Sequence, residues 1–481
     1  MAQFVGRASE LSRFKDLLDK KNASLVTIQG RRRIGKSTLV RHFCKKEKLL
    51  FFEFQGLPPT KKITNKDQLD EFSKSLAKYL SIEKVELKNW TQGFEQLNTL
   101  YLKNSKGVKK IVILIDEISW MGAKDSNFAG YFKDVWDRVL NSLDKLIVIL
   151  CGSVSSWIEK NILQNTGYVG RVSKEFKLSE LSISESVQML QSYNKKFSNR
   201  EFAQILSITG GVPKYIEEFS PYKTIAQGIR EICFLPSGFL FSELEKIFSE
   251  IFGKKNTIYL TVLYELNNGP LAPVTLAEKV GHPLNGDWNE IIFNLELAGF
   301  IKRDYSWNLV SNKTSKINRL RISDNYSKFY FKYIQPRKEK LIKLPLKTTG
   351  SLDFLNWDSV FGYQFENLIL NNLSNLIVLL KIQQDEVVQL GPYYQSSTKR
   401  KEGLQIDCLI HCKKGLLYIC EFKTSEHIGL NVVNEVQRKT EKLNLPRGFS
   451  TRHVLVYLGT LSEELIQNEY FDHLISFEDF C

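Results

Sequence analysis

The chain has 481 residues, 43% of them hydrophobic and 25% charged, with a formal net charge of +14. That length exceeds one ordinary domain and calls for two to four, each with a core of normal size. The composition excludes a disordered, fibrous or membrane-embedded chain, and the cationic excess suits a polyanionic partner without identifying one. The seven cysteines, Cys44, Cys151, Cys233, Cys408, Cys412, Cys420 and Cys481, are odd in number and lie mostly in apolar strand-like runs. Reduced thiols are therefore expected, not a disulfide framework. The opening MAQFVGRASELSRFKDLLDKK has no apolar signal region, and no run approaches about 18 apolar residues. A cytoplasmic protein without a membrane span is the expectation.

From Ser24 the pattern alternates strand and helix: SLVTIQG is a strand ended by glycine, STLVRHFCKK a helix, and LLFFEFQG a strand. Residues 66–103 read as helices, with apolar positions of DQLDEFSKSLAKYL at i, i+3, i+4 and i+7. KKIVILIDE and LIVILCGS are apolar on both faces, as in a parallel sheet covered by helices. After about residue 180 only helical runs follow: SISESVQMLQSY, NREFAQILSIT and VPKYIEEF. From Lys254 three helices (KKNTIYLTVLYELNNG, TLAEKVG, DWNEIIFNLELAG) precede FIKRDYSWNLVSNKTSKINRLRIS, which reads as two strands around a polar loop. That is the order of a winged helix-turn-helix. The lysine-rich segment 333–350 reads as a linker, and from Trp357 a helix, FGYQFENLILNNL, leads into further strands. The expected parts are 1–178, 179–250, 251–332, 333–350 and 351–481.

The stretch GRRRIGKS (30–37) fits G-x-x-x-x-G-K-[ST] between a strand and a helix, the context a phosphate-binding loop requires. Its glycines let backbone N–H groups surround phosphate oxygens, and the helix N-terminus adds partial positive charge. Gly30, Arg31, Arg32, Arg33, Ile34, Gly35, Lys36, Ser37 and Thr38 are thus expected to bind ATP, with Lys36 at the terminal phosphates and Ser37 on Mg²⁺. Downstream, IVILIDE ends a strand with Asp116, placed to hold Mg²⁺, and Glu117, placed to activate water.

Taken in order, FVGRASEL, GRRRIGKSTL, LIDEISW, LCGS, GYVGRVSKEFKLSELS and GGVPKYIEEF resemble the prokaryotic, archaeal-type ATPases of the STAND/AAA+ group over about residues 2–220. The resemblance implies a P-loop NTPase sheet with a helical lid, in which Gly210, Gly211 and Pro213 match the lid motif. It further implies Ser153 as a polar sensor and Arg171 as a sensor or arginine finger. A finger acting on a neighbour's site requires a homo-oligomer. In the three-helix segment, Asp287, Glu290 and Glu296 make the third helix a poor reader of a major groove, whereas Lys302, Arg303, Lys313, Lys316, Arg319 and Arg321 make the wing basic. A structural winged helix with a phosphate-touching wing is expected.

GLQIDCLIHCKKGLLYICEFK (403–423) admits three readings. A zinc site from Cys408, His411, Cys412 and Cys420 lacks the paired C-x₂-C spacing, and strand alternation puts Cys408 and Cys412 with Ile406 and Ile410. A hairpin with KKG at its turn accounts for the apolar residues. A hairpin that also carries Asp407, Glu421 and Lys423, with Glu366 on the preceding helix, is an arrangement for metal-dependent phosphodiester cleavage. These residues resemble the PD-(D/E)xK nuclease superfamily, a restriction-endonuclease-like α/β fold, over about residues 351–481. The resemblance implies Glu366, Asp407 and Glu421 as ligands of Mg²⁺ or Mn²⁺ and Lys423 as the catalytic lysine. Gln437 matches an accessory position. Ile406 stands where the superfamily name has proline. The expectation is an α/β multidomain ATPase that cleaves nucleic acid, DNA first. The alternatives are a STAND-type switch that binds nucleic acid without cutting, and an NTPase whose last part is a protein-binding platform.

Overall fold

The computed structural model describes every residue except 1–3, 59–61, 153–154, 194–195, 345–351, 353, 396, 398–401 and 444. Strand and helix alternate first: α1 (Ala8–Lys15), β1 (Ser24–Gln29), α2 (Lys36–Lys46), β2 (Leu50–Gln55), α3 (Asn65–Leu80), α4 (Trp90–Asn104), β3 (Ile111–Asp116), α5 (Ile118–Met121), α6 (Phe128–Arg138), β4 (Leu146–Gly152), α7 (Ser155–Ile158) and β5 (Val172–Lys177). The five strands form one parallel sheet in the order β2-β3-β4-β1-β5. Strand alternation divides its side chains between two cores. Ile111, Ile113 and Ile115 join Phe72, Phe94 and Trp136 on one face, and Val112 and Leu114 join Phe14, Val40 and Phe43 on the other. The sheet is buried on both sides, as the unbroken apolar runs require.

Helices α8 (Ile183–Ser192), α9 (Asn199–Thr209), α10 (Pro213–Glu217), α11 (Ile225–Ile229) and α12 (Glu243–Phe252) follow. Ser182 starts α8 with a capping box, its hydroxyl accepting from the Glu185 N–H while the Glu185 carboxylate accepts from the Ser182 N–H. Then come α13 (Asn256–Leu266), α14 (Pro273–Val280), α15 (Gly286–Leu297) and the antiparallel pair β6 (Ile301–Trp307) and β7 (Thr314–Ile322). The remaining elements are α16 (Asn325–Phe329), α17 (Lys338–Lys343), α18 (Trp357–Leu370), α19 (Leu373–Leu379), β8 (Val387–Gln395), β9 (Leu404–Cys412), β10 (Leu416–Ile428), α20 (Asn431–Lys442), β11 (Ser450–Leu461), α21 (Glu463–Gln467) and β12 (His473–Ser476). The second sheet runs β12-β11-β10-β9-β8, antiparallel from β8 to β10 and parallel from β10 to β12.

Three expectations change. Residues 333–344 are not a linker: they are largely helical, and Tyr333, Ile334 and Leu341 are buried. Of the segment's lysines, Lys338 pairs with Glu245 and lies over the Phe241 and Tyr330 rings, while Lys340 and Lys343 face solvent. The rest of that segment, 345–350, lies outside the described residues. Ile406 does not share a core with Cys408 and Ile410 but packs with Leu404 and Leu409 across the sheet, where β8 and β9 shift register between Gly391 and Tyr393. The β6–β7 hairpin is not a free wing. Trp307 and Leu309 are buried against Tyr393 and Leu404, and the Ser306 hydroxyl donates to the Tyr394 carbonyl at 2.6 Å.

Its cations are largely engaged inside the protein. Arg303 pairs with Glu296 at 2.9 Å, Arg321 with Asp304 at 2.7 Å, Lys302 donates to Asn371 at 3.0 Å, and Arg319 lies over the Tyr394 ring. Lys313 and Lys316 remain exposed. On α15, Asp287 and Glu290 bind Lys255 and Lys160, which agrees with a helix that does not read a groove. No described helix is long and apolar enough to cross a membrane. All seven cysteines are free, and all but Cys481 are buried, so Cys408, Cys412 and Cys420 act as packing residues.

Candidate functional site

The phosphate loop leaves β1 at Gly30, whose φ of +149° and missing Cβ are both needed, since a Cβ would stand 2.7 Å from the Leu178 carbonyl oxygen. Lys36, buried at the start of α2, donates to the carbonyls of Gly30 at 2.9 Å and Arg31 at 3.0 Å. The Ser37 hydroxyl donates to the Asp116 carboxylate at the end of β3. Asp116 Oδ1 accepts from the Glu117 N–H at 3.0 Å. Glu117 sits at φ +50°, ψ +43°, a left-handed setting rare for a residue with a side chain, and it opens α5. Strand β3 and the loop thus bring Lys36, Ser37, Asp116 and Glu117 to one cleft of about 450 Å³.

The cleft is closed by Phe4 and Val5 from the N-terminal segment, Met189 and Tyr193 from α8 and its end, and Pro213, Lys214 and Glu217 of α10. Residues of α8 and α10, within the segment where a lid is expected, thus line the cleft together with the loop. Gly211 allows this closure, because a Cβ there would collide with the Leu181 carbonyl at 1.9 Å.

Arg7 and Arg41 were missed as individual residues. Arg7 is buried and donates to the carbonyls of Ile34 at 3.3 Å and Ser179 at 2.7 Å, clamping the loop to the segment after β5. Arg41 lines the cleft and is held by Glu53. The signal for Arg7 lay in FVGRASEL, where it follows a glycine and precedes a helix start.

The loop arginines behave differently from one another. Arg32 and Arg33 line the cleft, pairing with Glu250 and Glu243 of α12. Arg31 instead turns its side chain away, toward Glu180 and Asp324, so among the expected nucleotide-binding residues it contributes only its backbone to this side. Arg171 precedes β5, at the opposite end of the sheet from the loop: Leu25 pairs with Val172, whereas Gln29, next to Gly30, pairs with Lys177. It binds Asp137 at 2.6 and 2.9 Å and does not reach its own chain's cleft. Ser153 lies outside the described residues.

The second cluster stands on β9 and β10. Asp407 and Glu421 come from these paired strands, and Lys423, two residues on, shares the face of Glu421 at 3.0 Å. Asp407 Oδ2 accepts from the Phe422 N–H at 2.9 Å. Helix α20 lays a further pair over them. Lys439 donates to Glu421 at 2.6 Å and stands 3.8 Å from Asp407, while Glu435 accepts from Lys423 at 3.0 Å. Gln437 is exposed, on the other side of α20, so Lys439 holds the place assigned to it. Periodicity pointed there: Val432, Val433 and Val436 mark the packed side of α20, and residues 435 and 439 flank it.

Burial raises the Asp407 carboxyl to about 6, against the attraction of Lys439 and with the repulsion of Glu366. Burial and the neighbouring Asp407 raise Glu421 as well, against Lys439 and Lys423. Glu366, on α18, lines an adjoining cavity with Lys328, Asn367 and Gln405. Among the described residues no three His, Cys, Asp or Glu side chains are gathered as a metal site. The expected trio is therefore only partly assembled: Asp407 and Glu421 meet through Lys439, and Glu366 stands beside them within electrostatic reach. The donor set is nevertheless all carboxylate oxygen, which suits a hard divalent cation.

Residues 4–219 match a family described as an ATPase domain predominantly from Archaea, and the chain carries an ATPase domain of that type. An uncharacterized protein of Methanocaldococcus jannaschii is 25% identical over 336 residues, 69% of each chain. Among solved structures, a Walker-type ATPase of Pyrococcus abyssi is 17% identical, with a TM-score of 0.48 over 68% of this chain and 96% of its own. The ORC2 protein of Aeropyrum pernix is 12% identical, with a TM-score of 0.42 over 71% and 97%.

Proposed function

We propose that the chain hydrolyses ATP in the cleft between the phosphate loop and α10, and that this hydrolysis governs metal-dependent cleavage of nucleic acid, DNA first, by residues 351–481. In this reading residues 1–178 are the ATPase core, 179–250 the lid, 251–332 a structural winged helix and 351–481 a restriction-endonuclease-like part. Lys36, already confined within the loop, supplies the cation for the terminal phosphates once it leaves the Gly30 and Arg31 carbonyls. Glu117, fixed by its backbone setting at the strand end, orients and deprotonates the attacking water. Ser37 and Asp116 would hold Mg²⁺, which neutralises phosphate charge.

The observation that carries the nuclease reading is the carboxylate pair. Asp407 and Glu421 are kept side by side and largely out of water, both with raised affinity for protons, and two lysines are needed to hold them. Folding gains little from such a pair, since apolar residues would serve as well, and perturbed carboxylates in a cleft favour chemistry. Glu366, Asp407 and Glu421 would hold Mg²⁺ or Mn²⁺, which supplies Lewis acidity toward a phosphate oxygen. Lys423, half-exposed beside Glu421, is placed to stabilise charge on the phosphate being cleaved.

The test is incubation of the purified chain with plasmid and Mg²⁺ or Mn²⁺, with and without ATP, beside Lys423→Ala. No cleavage by the parent, or equal cleavage by the variant, would overturn the nuclease reading. The second reading, a STAND-type switch that binds nucleic acid without cutting, is favoured by Lys439: its ammonium already bridges Asp407 and Glu421 where a cation is wanted. Intact plasmid with salt-sensitive DNA binding would select it. Seven free thiols support action in a reducing cytoplasm.

A further inference from the structure

The side chain of Arg31 leaves the phosphate loop on the side away from the cleft and is 5% exposed. Its Nη1 donates to Glu180 and to Asp324, each at 2.7 Å, and its guanidinium stands 5.3 Å from the centre of the Phe300 ring. Asp324 is fully buried and lies 293 residues further along the chain. Withdrawing three charges from water is a desolvation that their pairing at best repays, so this triad is weak evidence for stability alone.

Asp324 is also the N-cap of α16, accepting from the N–H groups of Tyr326 and Ser327. The residues on either side of it grip α18. The Asn367 amide donates to the Ser323 carbonyl at 2.8 Å and to the Asn325 side chain at 2.7 Å. Gln364 donates to the Asn325 carbonyl at 3.0 Å. Gln364 and Asn367 flank Glu366. Hydrogen bonds joined by short steps of backbone therefore lead from the Arg31 carbonyl that holds Lys36, through the Arg31 side chain and Asp324, and on through Ser323 and Asn325 to the helix carrying Glu366.

We infer that Arg31 and Asp324 are positioning residues that couple nucleotide occupancy of the phosphate loop to the setting of α18, and so of Glu366 beside Asp407 and Glu421. The inference rests on the proposed ATP site and extends it. When the terminal phosphates draw Lys36 off the Arg31 carbonyl, the loop resettles. Arg31 then resettles against two carboxylates, one of which starts α16. By linkage, whatever binds at Glu366 changes ATP affinity by the same factor.

Amide hydrogen exchange of the full chain, with and without a non-hydrolysable ATP analogue and Mg²⁺, tests this without relying on cleavage. The analogue is expected to slow exchange across residues 357–370 of the parent by about fivefold or more, the usual scale of coupling. Asp324→Asn retains a capping oxygen but not the charge. It should abolish that protection while still binding the analogue. Arg31→Lys, which keeps the charge without the fork, should restore part of it relative to Arg31→Gln. Glu180→Gln perturbs the triad from a segment outside α16 and should halve the effect or more, which covers the case that Asp324→Asn frays α16. Binding of the analogue to the parent with no change at 357–370, or protection in both Asp324→Asn and Glu180→Gln as large as in the parent, overturns the inference and leaves the ATP site standing. Failure of the parent to bind the analogue overturns the ATP site and the inference with it.

Discussion

Replacing Asp407 by Asn isolates the electrostatic cost of the carboxylate pair. Burial, with Glu366 adding to it and Lys439 opposing it, raises the Asp407 carboxyl from 3.8 to about 6. Two pKa steps at 1.36 kcal/mol each make this on the order of 3 kcal/mol. The raised value means that the folded chain binds the proton more tightly than the unfolded chain. That contribution is complete below about pH 4 and is lost as the pH rises through 6. At pH 8 the parent therefore holds a buried charge that the amide does not, while the amide oxygen can still accept the Phe422 N–H. Asp407→Asn should melt about 3–5 °C above the parent at pH 8 in metal-free buffer, the cooperative unit being about 300 residues or more, and the gap should shrink as the pH is lowered toward 4. Mn²⁺ should raise the midpoint of the parent at pH 8 and leave the variant unmoved. Melting curves at both pH values, with and without Mn²⁺, provide the check. A variant less stable than the parent at pH 8, by the same margin as at pH 4.5, would refute the assignment of a strained, ion-ready carboxylate.

At the ATP site, Glu117→Gln should bind ATP yet release phosphate at least about 100-fold more slowly in single turnover; hydrolysis at the parent rate would remove Glu117 as the base. Lys439→Ala leaves Glu421, 1% exposed, without its 2.6 Å partner and should destabilise the metal-free chain by about 3–5 kcal/mol. Mn²⁺ should recover most of that loss in a thermal melt, whereas Gln437→Ala should change neither value. Arg171→Ala should leave ATP affinity within about twofold, since an exposed ion pair at the far end of the sheet contributes little. A fall in hydrolysis that depends on protein concentration would instead mark Arg171 as a finger acting on a neighbouring copy.

The ATPase half was legible because its signals are local. A phosphate loop must follow a strand and open a helix, and the acids must end another strand, so spacing alone places Lys36, Ser37, Asp116 and Glu117 together. The hairpin with Asp407, Glu421 and Lys423 was legible for the same reason. Arg31 was not: a side chain at a variable position of the loop has no local cue for its direction, and its partner Asp324 is fixed only by how α16 packs. Lys439 was overlooked in favour of Gln437 because motif matching weighs residue type, whereas helical phase decides which residue meets the carboxylates. Over residues 333–344 the linker reading from lysines fails, since their number says nothing about the apolar side that Tyr333, Ile334 and Leu341 present.

The same packing bears on whether the C-terminal part can exist alone. Phe361, Phe365 and Leu368 of α18 belong to one continuous core with Phe202 and Leu206 of α9 and with Phe329 and Tyr333. On the opposite face of the second sheet, Trp307 and Leu309 of the β6–β7 hairpin complete the packing around Tyr393 and Leu404. A fragment of residues 354–481 would open both contacts. Each large apolar side chain returned to water costs about 1.5–3 kcal/mol, and a domain has only about 5–15 kcal/mol to lose. Exposure of four or five such side chains is enough to exhaust it. Residues 354–481 expressed alone should therefore bind a hydrophobic dye and lack a cooperative melt, while the fragment beginning at residue 254, which restores the hairpin and α16, should recover part of the transition. A sharp melt from the shorter fragment would show that the two sheets are independent bodies. It would also deprive the Arg31–Asp324 link of the rigid seat on which its effect at Glu366 depends.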